Sequence, residues 1–151
     1  MKIFTLSRKQ TIPVSIEKAW SFFSSPYNLE KITPGYMNFK VKTDIKNQEV
    51  YEGMKIEYRV SPLLGIPLKW VTVITDVEAP FKFKDIQEDG PFSLWEHTHI
   101  FKEVPEGVEM IDEIRYAIPL GIIGELAHSL VVKRQVEGIF KYRFSVLDKI
   151  F

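Results

Sequence analysis

The sequence predicts an α+β fold: a curved antiparallel sheet of about six or seven strands around one long C-terminal helix, with two short helices after the first strand. Three observations predict it. Apolar and polar residues alternate with a period of two from about residue 37 to residue 117. A helical period replaces that alternation from about Gly124 to the end. A short helical stretch separates the first strand from the rest. Strands in succession, with helices set apart from them, indicate α+β and not a doubly wound parallel sheet.

The elements follow in order. Residues 2–12 read as a strand that stops at Ile12-Pro13. Ser15 is placed to cap a helix in which Ile16, Ala19, Trp20 and Phe23 fall on one face. Ser25-Pro26 breaks it, and Asn28 to Ile32 suit a second short helical turn before Pro34-Gly35. Strands are then expected at Met37–Val41, Met54–Val60, Leu68–Val77, Phe81–Ile86, Leu94–Val104 and Val108–Tyr116. Pro105-Glu106-Gly107 joins the last two as a hairpin. Pro119 and Gly121 end the strands, and Leu126, Leu130, Val136, Ile139, Phe140, Phe144 and Leu147 give the final helix its apolar side. Roughly 25 helical residues extend about 37 Å, enough to lie along the whole sheet.

Composition narrows the function. At 151 residues the chain suits one domain, 1–151, with a core that needs no staples. Apolar residues make up 45% and charged residues 26%, the mix of an ordinary globular protein. Twenty basic side chains balance 20 acidic ones, so the basic excess that nucleic-acid binding requires is missing, and nothing points to an anionic membrane surface. The absence of cysteine excludes disulfides and thiolate chemistry. No apolar run approaches a transmembrane span, and the N-terminal apolar patch is too short for a signal-peptide core. The expectation is a soluble, cytoplasmic protein, with no signal for an oligomeric state.

The sharpest constellation is Trp95, His97, His99 and Phe101, which alternate with Leu94, Glu96, Thr98 and Ile100. Residues i and i+2 of a strand point the same way, so both histidines share a face with two aromatics, taken as the inward one. On the next strand Val108, Met110, Asp112, Ile114 and Tyr116 form the inward face, which sets a carboxylate beside the histidine pair. Three uses fit this trio: a polar anchor for a mostly apolar ligand, acid/base catalysis with Asp112 orienting a histidine, or a metal held with Asp112 or His128 as a further ligand. A buried hydrogen-bond network that merely fixes the sheet is the alternative to all three. No metal and no cofactor is assigned, and the metalloprotease, phosphate-loop, dinucleotide and nucleophile-elbow motifs are absent.

Trp20, Phe22, Phe23, Tyr58, Trp70, Phe81 and Phe83 line either a pocket or the core. Tyr58, Trp70 and Tyr116 are the better pocket residues, because each carries a polar tip that a dry core has to satisfy. The stretches Pro62–Pro67 and Pro119–Gly124, both built from Pro, Leu, Gly and Ile, either gate a cavity, touch a membrane or partner, or pack against each other or the helix.

Several segments resemble one known group. Pro13-Val14 through Trp20-Phe22-Phe23, Leu68-Lys69-Trp70, Leu94 through Phe101, Asp112 through Gly121, Lys133-Arg134-Gln135 and Ile139 through Arg143 are similar to the SRPBCC superfamily of START/Bet v 1-like ligand-binding proteins. The likeness is greatest to bacterial members described only as ligand-binding or cell-division-inhibitor-like. It implies a helix-grip fold with a cavity between sheet and helix, and it marks Arg134 and Gln135 as part of a recurrent pattern, in which Arg134 either meets a ligand carboxylate or Asp112 or belongs to a solvated helix face. The superfamily includes carriers, ring cyclases, hydrolases, oxygenase subunits and chaperone-binding modules. The expected partner is a small hydrophobic molecule, held by Tyr58, Trp70, Trp95, His97, His99, Phe101, Asp112, Tyr116 and Arg134. Two other outcomes are an enzyme using His97, His99 or Asp112, of the polyketide cyclase, dehydratase or hydrolase kind, and an interaction module whose cavity is filled by its own aromatics.

Overall fold

A computed structural model describes residues 2–45, 49–61 and 65–151. Seven antiparallel strands form one curved sheet: β1 (Phe4–Ile12), β2 (Lys40–Val41), β3 (Lys55–Val60), β4 (Leu68–Glu78), β5 (Lys82–Asp89), β6 (Leu94–Val104) and β7 (Gly107–Ala117). Their order across the sheet is β1-β7-β6-β5-β4-β3-β2, so β2 through β7 form a meander and only β1 joins out of sequence, beside β7.

Helices α1 (Ile16–Phe23) and α2 (Pro26–Lys31) link β1 to the meander. The Ser15 hydroxyl accepts from the Lys18 amide at 3.2 Å, the cap expected from the sequence. Ile16, Ala19 and Trp20 are buried from this helix, and the Trp20 ring meets Phe83 and Phe101 edge-on. Proline at its first turn starts α2 earlier than the Asn28 expected from the sequence. Of the strand expected at Met37–Val41, Met37 instead ends a 3-10 turn over Gly35–Met37, and Asn38 in a left-handed conformation leaves pairing only for Lys40 and Val41.

The strands bury alternate residues as the period of two demands. Ile56, Tyr58 and Val60 of β3 face inward, as do Val108, Met110, Asp112, Ile114 and Tyr116 of β7. Gly107 turns the β6–β7 hairpin at φ +138°, and a Cβ there would collide with the Ile12 carbonyl oxygen. Gly107→Ala is therefore expected to lower the urea midpoint by the equivalent of about 1–3 kcal/mol.

The final helical run starts at Gly121, earlier than its sequence period suggests, and is not uniform. Helix α3 (Gly121–Ala127) passes through a π-helical turn (His128–Val132) into α4 (Lys133–Ile150). Val136, Phe140, Arg143 and Leu147 form the buried stripe of α4. Leu120, Ile122, Ile123 and Leu126 are all exposed, so α3 presents apolar surface to solvent. Of the other apolar stretch, Pro62–Leu64 lie outside the described residues, and Ile66 is exposed.

Candidate functional site

Between the inner face of the sheet and α4 lies a cavity of about 370 Å³. That is within the range of pockets that hold small molecules. Its walls are mostly apolar: Leu29 from α2, Met37 and Phe39 ahead of β2, Val60 and Trp70 from the sheet, Phe92 and Trp95 near the β5–β6 turn, and Val132, Val136, Ile139 and Phe140 from the helical run. Ile118 and Pro119, which lead into α3, also line it.

One end is polar. Tyr58, Asp85, His97, His99 and Arg143 all face the cavity, and Asp112 lies behind them. Cross-strand register sets Asp85 opposite His97 and Asp112 opposite His99. The hydrogen bonds run along the diagonals: His99 Nε2 to Asp85 Oδ2 at 2.6 Å, and His97 Nε2 to Asp112 Oδ1 at 2.7 Å. The two imidazoles stack, with centroids 3.7 Å apart and planes inclined by 22°. The Arg143 guanidinium lies 3.6 Å from Asp112 Oδ1 and over the Phe140 ring.

The charges at this end act strongly on one another. Burial opposes ionisation of Asp112, but the His97 hydrogen bond, together with positive charge on His97 and Arg143, brings its carboxyl down to about 2. Asp85 is likewise held below the ordinary carboxylate value: burial works against it, and the His99 hydrogen bond and the neighbouring positive groups outweigh burial. Burial, then the neighbouring His97, pushes His99 below its usual value despite its bond to Asp85. Burial, helped by the Asp85 charge, raises the Tyr58 phenol, which stays a neutral O–H.

These shifts predict acid sensitivity. A carboxyl depressed on folding adds stability that is complete above the unfolded value and is lost as pH falls through the folded value. For Asp112 that window runs from about 3.8 down to about 2, and its full contribution is on the order of 2 kcal/mol. His99, depressed as a base, takes up its proton more readily in the unfolded chain, so its loss begins as pH falls through about 6.5. Urea midpoints should fall steadily across both windows, and Asp112→Asn should flatten only the more acidic one.

Asp85, His97 and His99 bring donor atoms within 4.8 Å of one another. The two Nε2 atoms, however, are aimed apart, that of His99 at Asp85 of β5 and that of His97 at Asp112 of β7, whereas a metal needs its donors to converge. His128, the other candidate ligand, is elsewhere: its Nε2 is 2.7 Å from the Tyr116 hydroxyl and its ring stacks on Phe4.

Of the residues singled out in the sequence, Tyr58, Trp70, Trp95, His97 and His99 line the cavity. Phe101 does not; it is buried among Trp20, Phe23 and Phe83. Asp112 supports the histidines from the second row. Tyr116 is also off the cavity wall, its polar tip satisfied by His128. Arg134 is exposed and does not reach the site. Arg143, nine residues later and thus on the opposite side of the helix, occupies the position expected for it. Phe81, weighed as core or pocket, is exposed.

Asp85 and Arg143 were missed, yet each carries a signal. Asp85 shares the alternation of Phe83 in β5, and Arg143 falls on the apolar period of Val136, Phe140 and Leu147.

No family model matches the chain, and no curated protein does so. Solved structures do. Protein Ms6760 from Mycobacterium smegmatis superposes with a TM-score of 0.67 at 17% identity, covering 97% of this chain and 92% of that one. TTHA0849 from Thermus thermophilus gives 0.63 at 20% identity, covering 99% of each. Ara h 8.0201 gives 0.62 at 12% identity, covering 98% of this chain and 99% of that one. At such identities the likeness is one of fold: the chain has a Bet v 1-like helix-grip fold.

Proposed function

We propose that the protein binds a small, largely hydrophobic molecule in the cavity between the sheet and α4, with the His97, His99 and Asp112 end fixing its polar group. The observation that carries this reading is the cavity itself. An apolar-walled space of about 370 Å³ ends on a buried cluster of ionisable groups. Apolar walls supply affinity through burial, and a few placed polar groups supply orientation. A pocket closed by its own aromatics, as an interaction module without ligand would have, leaves no such space. The fold is one that commonly hosts small-molecule binding.

Native mass spectrometry of protein purified from cells, with organic extraction of any adduct, tests the reading. One discrete apolar molecule per chain is expected, or uptake of one added apolar alcohol by empty protein. A mass unchanged by excess of such alcohols contradicts it.

One observation favours a second reading, that of an enzyme. Each histidine is oriented by its own carboxylate, and His99 faces the cavity. That arrangement suits proton transfer on a cyclase, dehydratase or hydrolase substrate of aromatic or polyketide-like character. A bell-shaped pH–rate profile abolished in His99→Ala would support it, and turnover unaffected by that change would exclude the cluster from catalysis. Among the described residues no helix is long and apolar enough to cross a membrane, and a cytoplasmic location fits both readings.

A further inference from the structure

The polar end of the cavity is incompletely bonded. Arg143 is buried at 6% exposure and lines the cavity. Its nearest anionic atom, Asp112 Oδ1, is 3.6 Å away, beyond a good hydrogen bond, and its Nε has no partner among the described residues. A buried guanidinium normally spends its donors on oxygen acceptors, two at a time where a planar oxyanion is available. Here Arg143 lines an apolar-walled space, and the Asp112 Oδ1 nearest it already accepts from His97, while Asp112 Oδ2 also has no hydrogen-bond partner among the described residues.

Charge adds a second constraint. The groups facing one another are Tyr58 from β3, Asp85 from β5, His97 and His99 from β6, Asp112 from β7 and Arg143 from α4. Leaving the imidazoles aside, two carboxylates stand against one guanidinium. An anion arriving at Arg143 therefore adds negative charge, which protonation of His99, on the cavity wall and already bonded to Asp85, offsets.

We propose that the ligand is an amphiphile with an anionic carboxylate on an apolar body, that its carboxylate seats on Arg143, and that its binding is coupled to proton uptake by His99. The inference rests on the binding reading above and specifies its ligand class. Ligand affinity and ligand-linked protonation are then one equilibrium: the anion raises the proton affinity of His99, and protonation of His99 raises affinity for the anion. Affinity for the carboxylate decreases as pH rises through the titration of His99.

The test compares decanoate, decanol and decylamine by titration calorimetry near neutral pH, in phosphate and in Tris buffer. Decanoate should bind roughly tenfold or more tighter than decanol, equivalent to about 1.4 kcal/mol. Its heat should differ between the buffers in the direction of proton uptake, and a carbon-13 label at its carboxyl should keep the shift of an ionised carboxylate when bound. Arg143→Met should reduce decanoate to the affinity of decanol. If that variant does not fold, the wild-type ranking and buffer dependence decide alone. Decanol binding as well as decanoate, tighter binding of decylamine, a bound carboxyl in its protonated form, or no proton uptake would each overturn the inference and leave the carrier reading standing. Failure of all three to bind would overturn both.

Discussion

Asp112→Ala is expected to cost about 3–5 kcal/mol, because it strands a buried guanidinium and a buried imidazole without their anion. A domain of this size has roughly 5–15 kcal/mol in hand, so the variant should be close to unfolding at physiological temperature. The loss comes from what the carboxylate leaves behind. His97 loses its 2.7 Å acceptor, and Arg143 loses its nearest counter-ion, while Asp85 remains bonded to His99 on the far diagonal. Asp112→Asn keeps a hydrogen-bond acceptor of the same shape and should lose less. Urea unfolding of the three proteins checks the order, wild type above Asn above Ala. Equal stability of Ala and wild type would show that the cluster is not closed to solvent as its burial implies.

The second large effect is on binding. Ile139 lies on the cavity side of α4, half-buried. Ile139→Trp puts an indole into the space a ligand would occupy and fills void that otherwise has no packing partner. Affinity for an apolar ligand should fall by roughly a hundredfold, about 2.7 kcal/mol, while the melting temperature stays level or rises. Loss of affinity together with loss of stability would mean that the indole disrupts the helix–sheet packing and would say nothing for the cavity. The contrast with Asp112→Ala is the useful part, since one change should damage folding and the other binding.

How much of this was legible in the sequence depends on the element. In β6 and β7 the period of two is regular, so the inward face of His97, His99 and Asp112 could be read directly from spacing. Register could not be read. The diagonal pairing of each histidine with a carboxylate arises from the relation between β5, β6 and β7, and β5 meets β4 through register shifts that no local pattern announces. Asp85 shares the face of Phe83 by the same period, but only the register of β5 against β6 sets it beside the histidines. On the helix the resemblance pointed to Arg134, whereas the apolar stripe pointed to Arg143, and the stripe was the better guide because it reflects what the helix buries. The π-helical turn that separates α3 from α4 has no sequence signature in this chain. Tyr116 was chosen for its polar tip by sound reasoning, but the partner it needed is His128, some turns into the helical run, and the sequence gives no means of pairing them.

The chain has three tryptophans. Trp70 and Trp95 line the cavity, with their rings 5.4 Å apart, while Trp20 is buried in the aromatic core beside Phe83 and Phe101. Tryptophan emission during a titration with decanol therefore reports directly on whether the cavity receives an apolar guest. A saturable change at one decanol per chain is expected, lost in the Trp70→Phe, Trp95→Phe double variant, where only Trp20 still emits. Emission that does not change, or that changes without saturating, would contradict the claim that this cavity is a binding site.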